Sequence, residues 1–349
     1  MKYMKKVSLF VLIASITSAS MLSCNKLDKK VTDTSKQQNV SETDNVELSN
    51  ETVLSVGDID VSYKELLLYM QSYKDKYENL YGADIWSYKV DAEGKTFESV
   101  FKEDLLEDII YIKTVCAQAQ ELGITLAEDE LLDVDELTAS FFGTFSEAQM
   151  TKYKIDIETV KKVYMDNMLA NKIYESLTLN VDTDVTDEEA RQIKLQYAFV
   201  SNASYDEDGT RIEYTEEQQQ KAKEKAIELR QKALEASSFY QFAAENSENK
   251  DEIEMTVGKG DMEASLEKVA FSMKTGEISE VIETNSGYFI LYCVSDLDRE
   301  ATDVAKEELI SKRQEEAFDT KYKEWAKSTK VKLNKELWNN ISFDDTLFE

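Results

Sequence analysis

Three cysteines, several carboxylate pairs and a Lys274-Thr275-Gly276-Glu277 turn are what this sequence offers for chemistry, and histidine is missing altogether. Without an imidazole there is no Ser-His-Asp or Cys-His nucleophile and no histidine metal ligand. Cys24, Cys116 and Cys293 have no metal-site spacing. The last two lie in apolar surroundings, where a disulfide between them stays open but two buried free thiols are the commoner outcome. Asp206-Glu207-Asp208-Gly209-Thr210 begins like a calcium loop and lacks the later ligands of one. Asp206/Asp208 and Glu307/Glu308 therefore read as solvated surface, and neither a metal nor a cofactor is expected.

The elements that must position such groups follow from patterning. Residues 52–58 read as a short strand and turn. Ser62 with Glu65 makes the Ser-x-x-Glu start of a helix carrying Leu66, Leu67, Tyr69, Met70 and Tyr73. Amphipathic helices follow at about 97–122, 127–141, 146–153 and 158–177, with Gly123 stopping the first. From Ile193 the period changes. Residues 195–200 form a strand, then come a polar hairpin or loop through Gly209, helices at 216–236 and 238–246, a loop and short strand at 250–257, and a helix at 264–271. Val281-Ile282 forms an edge-like strand, Asn285-Ser286-Gly287 a hairpin turn, and residues 288–294 a mostly buried strand. Strand, helices, strand, helix and hairpin in this order make an α+β domain. After Asp298 the helical period returns over 301–327, ahead of a segment holding Val331, Leu333 and Trp338. Tyr81-Gly82-Ala83-Asp84-Ile85-Trp86 is an aromatic-rich turn, either a packing knot or part of a binding surface.

The balance of 41 basic against 70 acidic residues, a formal charge of −29, argues against a nucleic-acid partner. It favours solubility and repulsion from anionic surfaces. No proline occurs in the 349 residues, so the chain's own folding has no slow prolyl step.

The first residues read as an export signal: Lys2, Lys5 and Lys6 precede an apolar run over 7–16 that is too short to span a membrane comfortably. It ends in Met21-Leu22-Ser23-Cys24, which resembles the bacterial lipoprotein processing site, with Met21 where Leu is usual. The resemblance implies removal of residues 1–23, lipid on Cys24 and anchorage to the extracytoplasmic face of the cell membrane. An ordinary signal peptide that happens to hold a cysteine is the other reading. Residues 25–50 hold no aromatic residue and few apolar ones, so 24–50 is expected to be a flexible tether.

Gly258-Lys259-Gly260-Asp261-Met262, then Leu266-Glu267-Lys268-Val269-Ala270-Phe271, then Met273-Lys274-Thr275-Gly276-Glu277-Ile278-Ser279 resemble the core of parvulin-type (PpiC-type) peptidyl-prolyl isomerases. Gly287-Tyr288-Phe289-Ile290-Leu291 takes the place of that family's last strand. Phe242-Ala243-Ala244-Glu245 with Ser247 looks like its preceding helix end. Val56-Gly57-Asp58 through Leu66, and Ala119 to Ile124 with Glu128 to Leu131, resemble the flanking helical parts of SurA- and PrsA-type foldases.

The resemblance implies an α+β protein: a helical SurA/PrsA-like chaperone domain at 51–190, a parvulin-like domain inserted at 191–298, and a C-terminal helix at 299–349 that returns to the chaperone domain. It implies a foldase or chaperone whose partners are unfolded or partly folded exported polypeptides. A parvulin site is a non-covalent pocket with two histidines, a Cys or Asp, and a Met/Phe pair that receives the proline ring. Those positions correspond here to Tyr197 and Phe289 for the histidines, Asn249 for the Cys or Asp, and Met262 with Leu266 for the proline pocket. Only Met262 keeps the family's residue. Isomerase activity is therefore expected to be weak or lost. A non-catalytic interaction or assembly lipoprotein that keeps the fold as a scaffold is the alternative. Met262 and Leu266, four apart at a helix start, would face the same way in either case.

Overall fold

Gly57-Asp58 turns the chain between strands β1 (Thr52–Val56) and β2 (Ile59–Ser62). Gly57 takes the positive φ of 61° that a tight hairpin needs. The computed structural model describes residues 50–143, 156–250 and 252–343. The expected leader, Cys24, the tether and the helix at 146–153 lie outside the described residues.

The chain divides into two compact units, one holding the described residues up to Asn180 with those from Ala317, the other running Val181–Glu316. In the first, helix α1 (Tyr63–Tyr81) is capped by Ser62, whose Oγ accepts from the Glu65 amide at 3.4 Å. The Glu65 side chain is turned inward instead of back to the cap. Helices α2 (Phe97–Cys116) and α3 (Ala119–Leu122) replace the single helix expected over 97–122, with a break at Ala117-Gln118. Gly123 ends α3 in the left-handed conformation, φ 67°. Helices α4 (Glu128–Gly143) and α5 (Ile157–Thr178) follow, the latter capped by Asp156. The core gathers Leu66, Tyr69 and Met70 of α1, Leu105, Ile109 and Ile112 of α2, and Val160 and Ile173 of α5.

The second unit opens with a short helix α6 (Asp187–Ala190) and strand β3 (Ile193–Ser201). A hairpin of β4 (Ala203–Tyr205) and β5 (Arg211–Glu213) leads to helices α7 (Glu216–Glu235) and α8 (Phe239–Asn246). Strand β6 (Glu254–Val257), helix α9 (Ala264–Ala270), and strands β7 (Ile282–Glu283) and β8 (Gly287–Ser295) complete it. The sheet order is β6-β3-β8-β7, every pair antiparallel. Side chains alternate between its faces. Ala198, Val200, Tyr288 and Ile290 meet α7 and α8, whereas Ile193, Leu195, Tyr197, Leu291 and Cys293 meet α9 and Met273. At the β4–β5 tip, Asp206 Oδ1 accepts from the Asp208 and Thr210 amides at 3.1 and 2.7 Å, so that carboxylate serves the turn.

Helix α10 (Arg299–Ser328) carries the chain across the division. Its first turns are tied to α6 by Arg299 and Lys306 on Asp187 and by Arg313 on Glu189. Beyond Ala317, Phe318, Tyr322 and Trp325 pack into the core of the first unit. Strand β9 (Val331–Leu333) adds antiparallel to β1, giving the order β2-β1-β9. Helix α11 (Lys335–Asn340) follows, capped by Asn334. Trp86 is buried and stacks on Phe343, centroids 3.8 Å apart and planes 5° from parallel. The turn before it is therefore a packing knot at Trp86, while its neighbours Leu80, Tyr81 and Tyr88 stay exposed. Cys116 and Cys293 are buried free thiols.

Candidate active site

Tyr197 sits in the middle of β3 with its ring on the α9 face of the sheet, because Ile193, Leu195, Tyr197 and Phe199 share that face. Its register partner on β8 is Leu291, and Phe289 lies diagonally across, ring centroids 5.5 Å apart. The residue directly opposite Phe289 is Phe199, at 4.8 Å. Sequence reasoning missed Phe199 as a site residue, although strict alternation from Ile193 already puts it on the same face as Tyr197.

The far end of β3 is bordered by the described residues 247–250, 252 and 253, an arch outside the ladder. The Phe199 amide donates to Ser247 Oγ at 3.0 Å, the Glu248 amide to the Phe199 carbonyl at 2.9 Å, and the Tyr197 amide to the Ile253 carbonyl at 2.9 Å. From this arch Asn249 Nδ2 reaches back to the Tyr197 phenol oxygen at 3.2 Å. Burial first, and then the nearby Glu252 carboxylate, push the Tyr197 phenol up in pKa, with the Asn249 hydrogen bond opposing them. The ring therefore stays a neutral phenol. Its oxygen is the acceptor for Asn249, so its own proton is uncommitted in that bond.

Leu266 of α9 is buried, and Met262 is half-buried against the same apolar cluster. The two do face one place. Met262 is not on the helix, however: it lies two residues before α9, in a turn closed by the Gly258 amide to Asp261 Oδ2 (2.7 Å) and the Gly260 amide to Glu267 Oε2 (2.6 Å). Asp and Gly side-chain and backbone freedom makes this turn and delays the helix start.

The Lys274–Glu277 turn belongs to the scaffold. Glu277 Oε2 accepts the Lys274 amide at 2.7 Å, and the Gly276 amide, at φ 89°, donates to the Cys293 carbonyl at 2.8 Å. Ser279 extends this edge pairing, its Oγ accepting from the Leu291 amide at 2.9 Å. The β7–β8 turn is closed by the Thr284 hydroxyl on the Gly287 carbonyl, 2.9 Å. Gly287 is demanded by contact: a Cβ there would meet the Val200 carbonyl at 2.2 Å.

The half-buried Phe199, Phe289 and Met262 with the buried Tyr197 and Leu266 make one apolar patch, the slot, with one side-chain amide at its edge. It offers ring faces and a thioether to a small apolar ring and one hydroxyl to a carbonyl. None of its groups titrates near neutrality, so it holds no general acid or base for that range.

Residues 206–295 match the family model for the rotamase, PPIC-type PPIase domain. Residues 206–295 are a PPIC-type rotamase domain. Asn249, Met262, Leu266 and Phe289 fall inside the matched residues of the rotamase domain, and Tyr197 lies just before them. The chain as a whole is similar to foldases of the PrsA type. It is 23% identical over 282 residues to the foldase protein PrsA of Clostridium botulinum (strain Langeland), covering 75% of this chain and 81% of that one. It is 24% identical over 341 residues to the PrsA of Caldanaerobacter subterraneus subsp. tengcongensis, covering 94% and 95%. Among solved structures, PrsA from Bacillus cereus aligns over 83% of this chain and 99% of its own at 15% identity, with a TM-score of 0.35.

Proposed function

We propose that the protein is an extracytoplasmic, lipid-anchored foldase that holds exported polypeptides while they fold and has lost most of its prolyl-isomerase activity. The observation that supports this reading is the Tyr197 surroundings: its phenol is hydrogen-bonded to Asn249 and its ring lies 5.5 Å from that of Phe289, at the two positions read here as those of the family's histidines. Rotation about a prolyl bond faces a barrier of about 18–20 kcal/mol in ordinary peptides, lowered only by groups that favour the twisted amide. A phenol, an amide and two benzene rings supply binding area and little polarisation.

Holding a client needs exposed apolar surface, which the first unit presents at Leu80, Tyr81 and Tyr88 around the Trp86 knot. The strongly acidic surface would keep a client complex soluble. Among the described residues no helix is long and apolar enough to cross a membrane. The anchor assigned here is the lipid on Cys24, with 24–50 as spacer; several acyl chains hold where one does not.

The test is suppression of aggregation of a denatured exported protein by the full chain. Suppression that disappears in Leu80→Ser/Tyr81→Ser/Tyr88→Ser, with unchanged thermal unfolding, is the expected result. No suppression by the unaltered chain would leave the assembly scaffold as the better reading. Membrane retention and fatty-acid labelling that persist in Cys24→Ser would refute the anchor.

A further inference from the structure

We infer that the free edge of β9 takes up an extended client segment as an added strand, and that it favours segments with an acidic residue between two apolar ones. The inference rests on the reading of the protein as a foldase and names a surface and a client chemistry for it.

The backbone supplies the docking groups. In the sheet β2-β1-β9, β9 is an edge, and no strand among the described residues lies beyond it. The Gly57 amide donates to the Lys330 carbonyl and the Asn334 amide to the Val53 carbonyl, both at 2.8 Å, on either side of the Ser55–Lys332 pair. Hydrogen bonding alternates along an antiparallel ladder. Lys332 therefore commits its amide and carbonyl to β1, while Val331 and Leu333 turn theirs to the open edge. Val331 is 44% exposed, and Lys330 and Lys332 beside it are exposed too. Two donors and two acceptors at strand spacing are what an extended polypeptide can pair with.

Charge then selects. The chain holds 70 acidic against 41 basic residues, yet 327–335 carries four lysines, Lys327, Lys330, Lys332 and Lys335, and no carboxylate. Lys321 and Lys323 just before them are paired with Glu324 and Asp319, whereas these four are in no ion pair among the described residues. Lys327 lies in the last turn of α10, where a cation suits the helix end. The other three form or flank the strand. The opposing charges closest by sequence and register are Glu51 and Asp58 at the two ends of β1, Asp60 on β2, and Glu336 of α11. These carboxylates lie on the β1 side of β9 or on α11, and the edge strand itself carries lysine alone.

Residues opposite one another on paired strands share a face. Leu333 packs against the core of the first unit and Val331 shares its side, whereas Lys332 stands on the other, solvated side. A strand added here would set apolar residues against Val331 and Leu333 and an acidic one against Lys332. A second copy of the chain fits badly, because joining two β9 edges brings the lysines together. A lipid headgroup would meet the lysines and leave the backbone groups of Val331 and Leu333 unused.

Fluorescence polarisation of labelled, end-blocked Thr-Val-Glu-Val-Thr and Thr-Val-Lys-Val-Thr with the full chain tests this, together with amide hydrogen exchange of Val331 and Leu333. The Glu peptide is expected to bind about tenfold more tightly than the Lys peptide, less so in about 0.5 M salt, and to slow exchange at both amides. Methylating the two valine nitrogens of the Glu peptide should abolish that protection. Lys332→Glu should reverse the preference with tryptophan fluorescence unchanged. Equal affinities for the two peptides, a preference that survives Lys332→Glu, or binding that leaves exchange at Val331 and Leu333 untouched overturns the inference. So does capture of phosphatidylglycerol vesicles through these lysines with neither peptide bound, which would make the edge a membrane-facing patch. Aggregation suppression does not enter these measurements, so their failure leaves the foldase reading to its own test.

Discussion

The ammonium of Lys113 reaches the carboxylate of Glu65 inside the first unit, with both side chains shut off from solvent. The same ammonium meets Asp166 and lies over the ring of Tyr69, 5.6 Å from its centroid, while Lys162 takes the second Glu65 oxygen. This cluster joins α1, α2 and α5 through charge inside the first unit.

Removing a partner from a buried pair costs about 3–5 kcal/mol, because the remaining charge stays in the interior. Lys113→Ala is therefore expected to lower the stability of the first unit by about that much. Trp86, Trp325 and Trp338 all belong to that unit, so the midpoint of urea unfolding by tryptophan fluorescence reads it directly. Burial alone would lower the Lys113 pKa, but Tyr69, Asp166 and Glu65 hold it well above 10.5. A cation raised in the folded state adds stability below its unfolded value and loses it as pH rises through the folded one. Above about pH 10.5 the unaltered protein should lose stability more steeply than Lys113→Met. Parallel pH curves would remove the ionic account of the cluster.

Gly287→Ala should damage the rotamase domain and leave the first unit alone. The new Cβ would sit 2.2 Å from the Val200 carbonyl and 2.8 Å from the Phe199 ring, at a φ of +149° that side chains rarely adopt. A loss of roughly 3 kcal/mol is expected, seen in amide hydrogen exchange of β3 and β8 with no change in tryptophan fluorescence. Unaltered exchange protection would mean that the β3–β8 approach is looser than described.

The first unit should fold without the second. Tyr174 and Phe318, on either side of the interruption, lie 5.0 Å apart in the same core, so a short linker can replace residues 181–316. Such a deletion is expected to keep a cooperative thermal transition and the buried environment of Trp86. A product with the fluorescence of an unfolded chain would show that the first unit depends on what was removed.

Much of this architecture was legible in the chain. The strands around Tyr197 and Tyr288, the Asn285–Gly287 turn and the helices expected at 216–236 and 238–246 are local signals, and they hold in the structure. What escaped depends on partners distant in sequence. Glu65 reads as the return half of a capping box, yet a buried ammonium 48 residues away draws it inward. Residues 331–333 are too short to declare a strand until β1 supplies the ladder. Alternation puts Phe199 on the Tyr197 face, but its place opposite Phe289 is set by register between β3 and β8, which one strand cannot fix. Met262 precedes its helix because the Asp261 and Glu267 carboxylates stabilise a turn.

The central claim is that this rotamase domain keeps the fold without most of the catalysis, and the exchange rate of a prolyl peptide tests it most directly. With Ala-Leu-Pro-Phe in about hundredfold excess over the full chain, cis–trans interconversion should stay near its spontaneous time of tens to hundreds of seconds. Tyr197→His/Phe289→His should shorten it. Interconversion within about a second under the same conditions, for the unaltered chain, would contradict the claim, because a slot of phenol, amide and benzene rings would then be lowering the barrier by several kcal/mol.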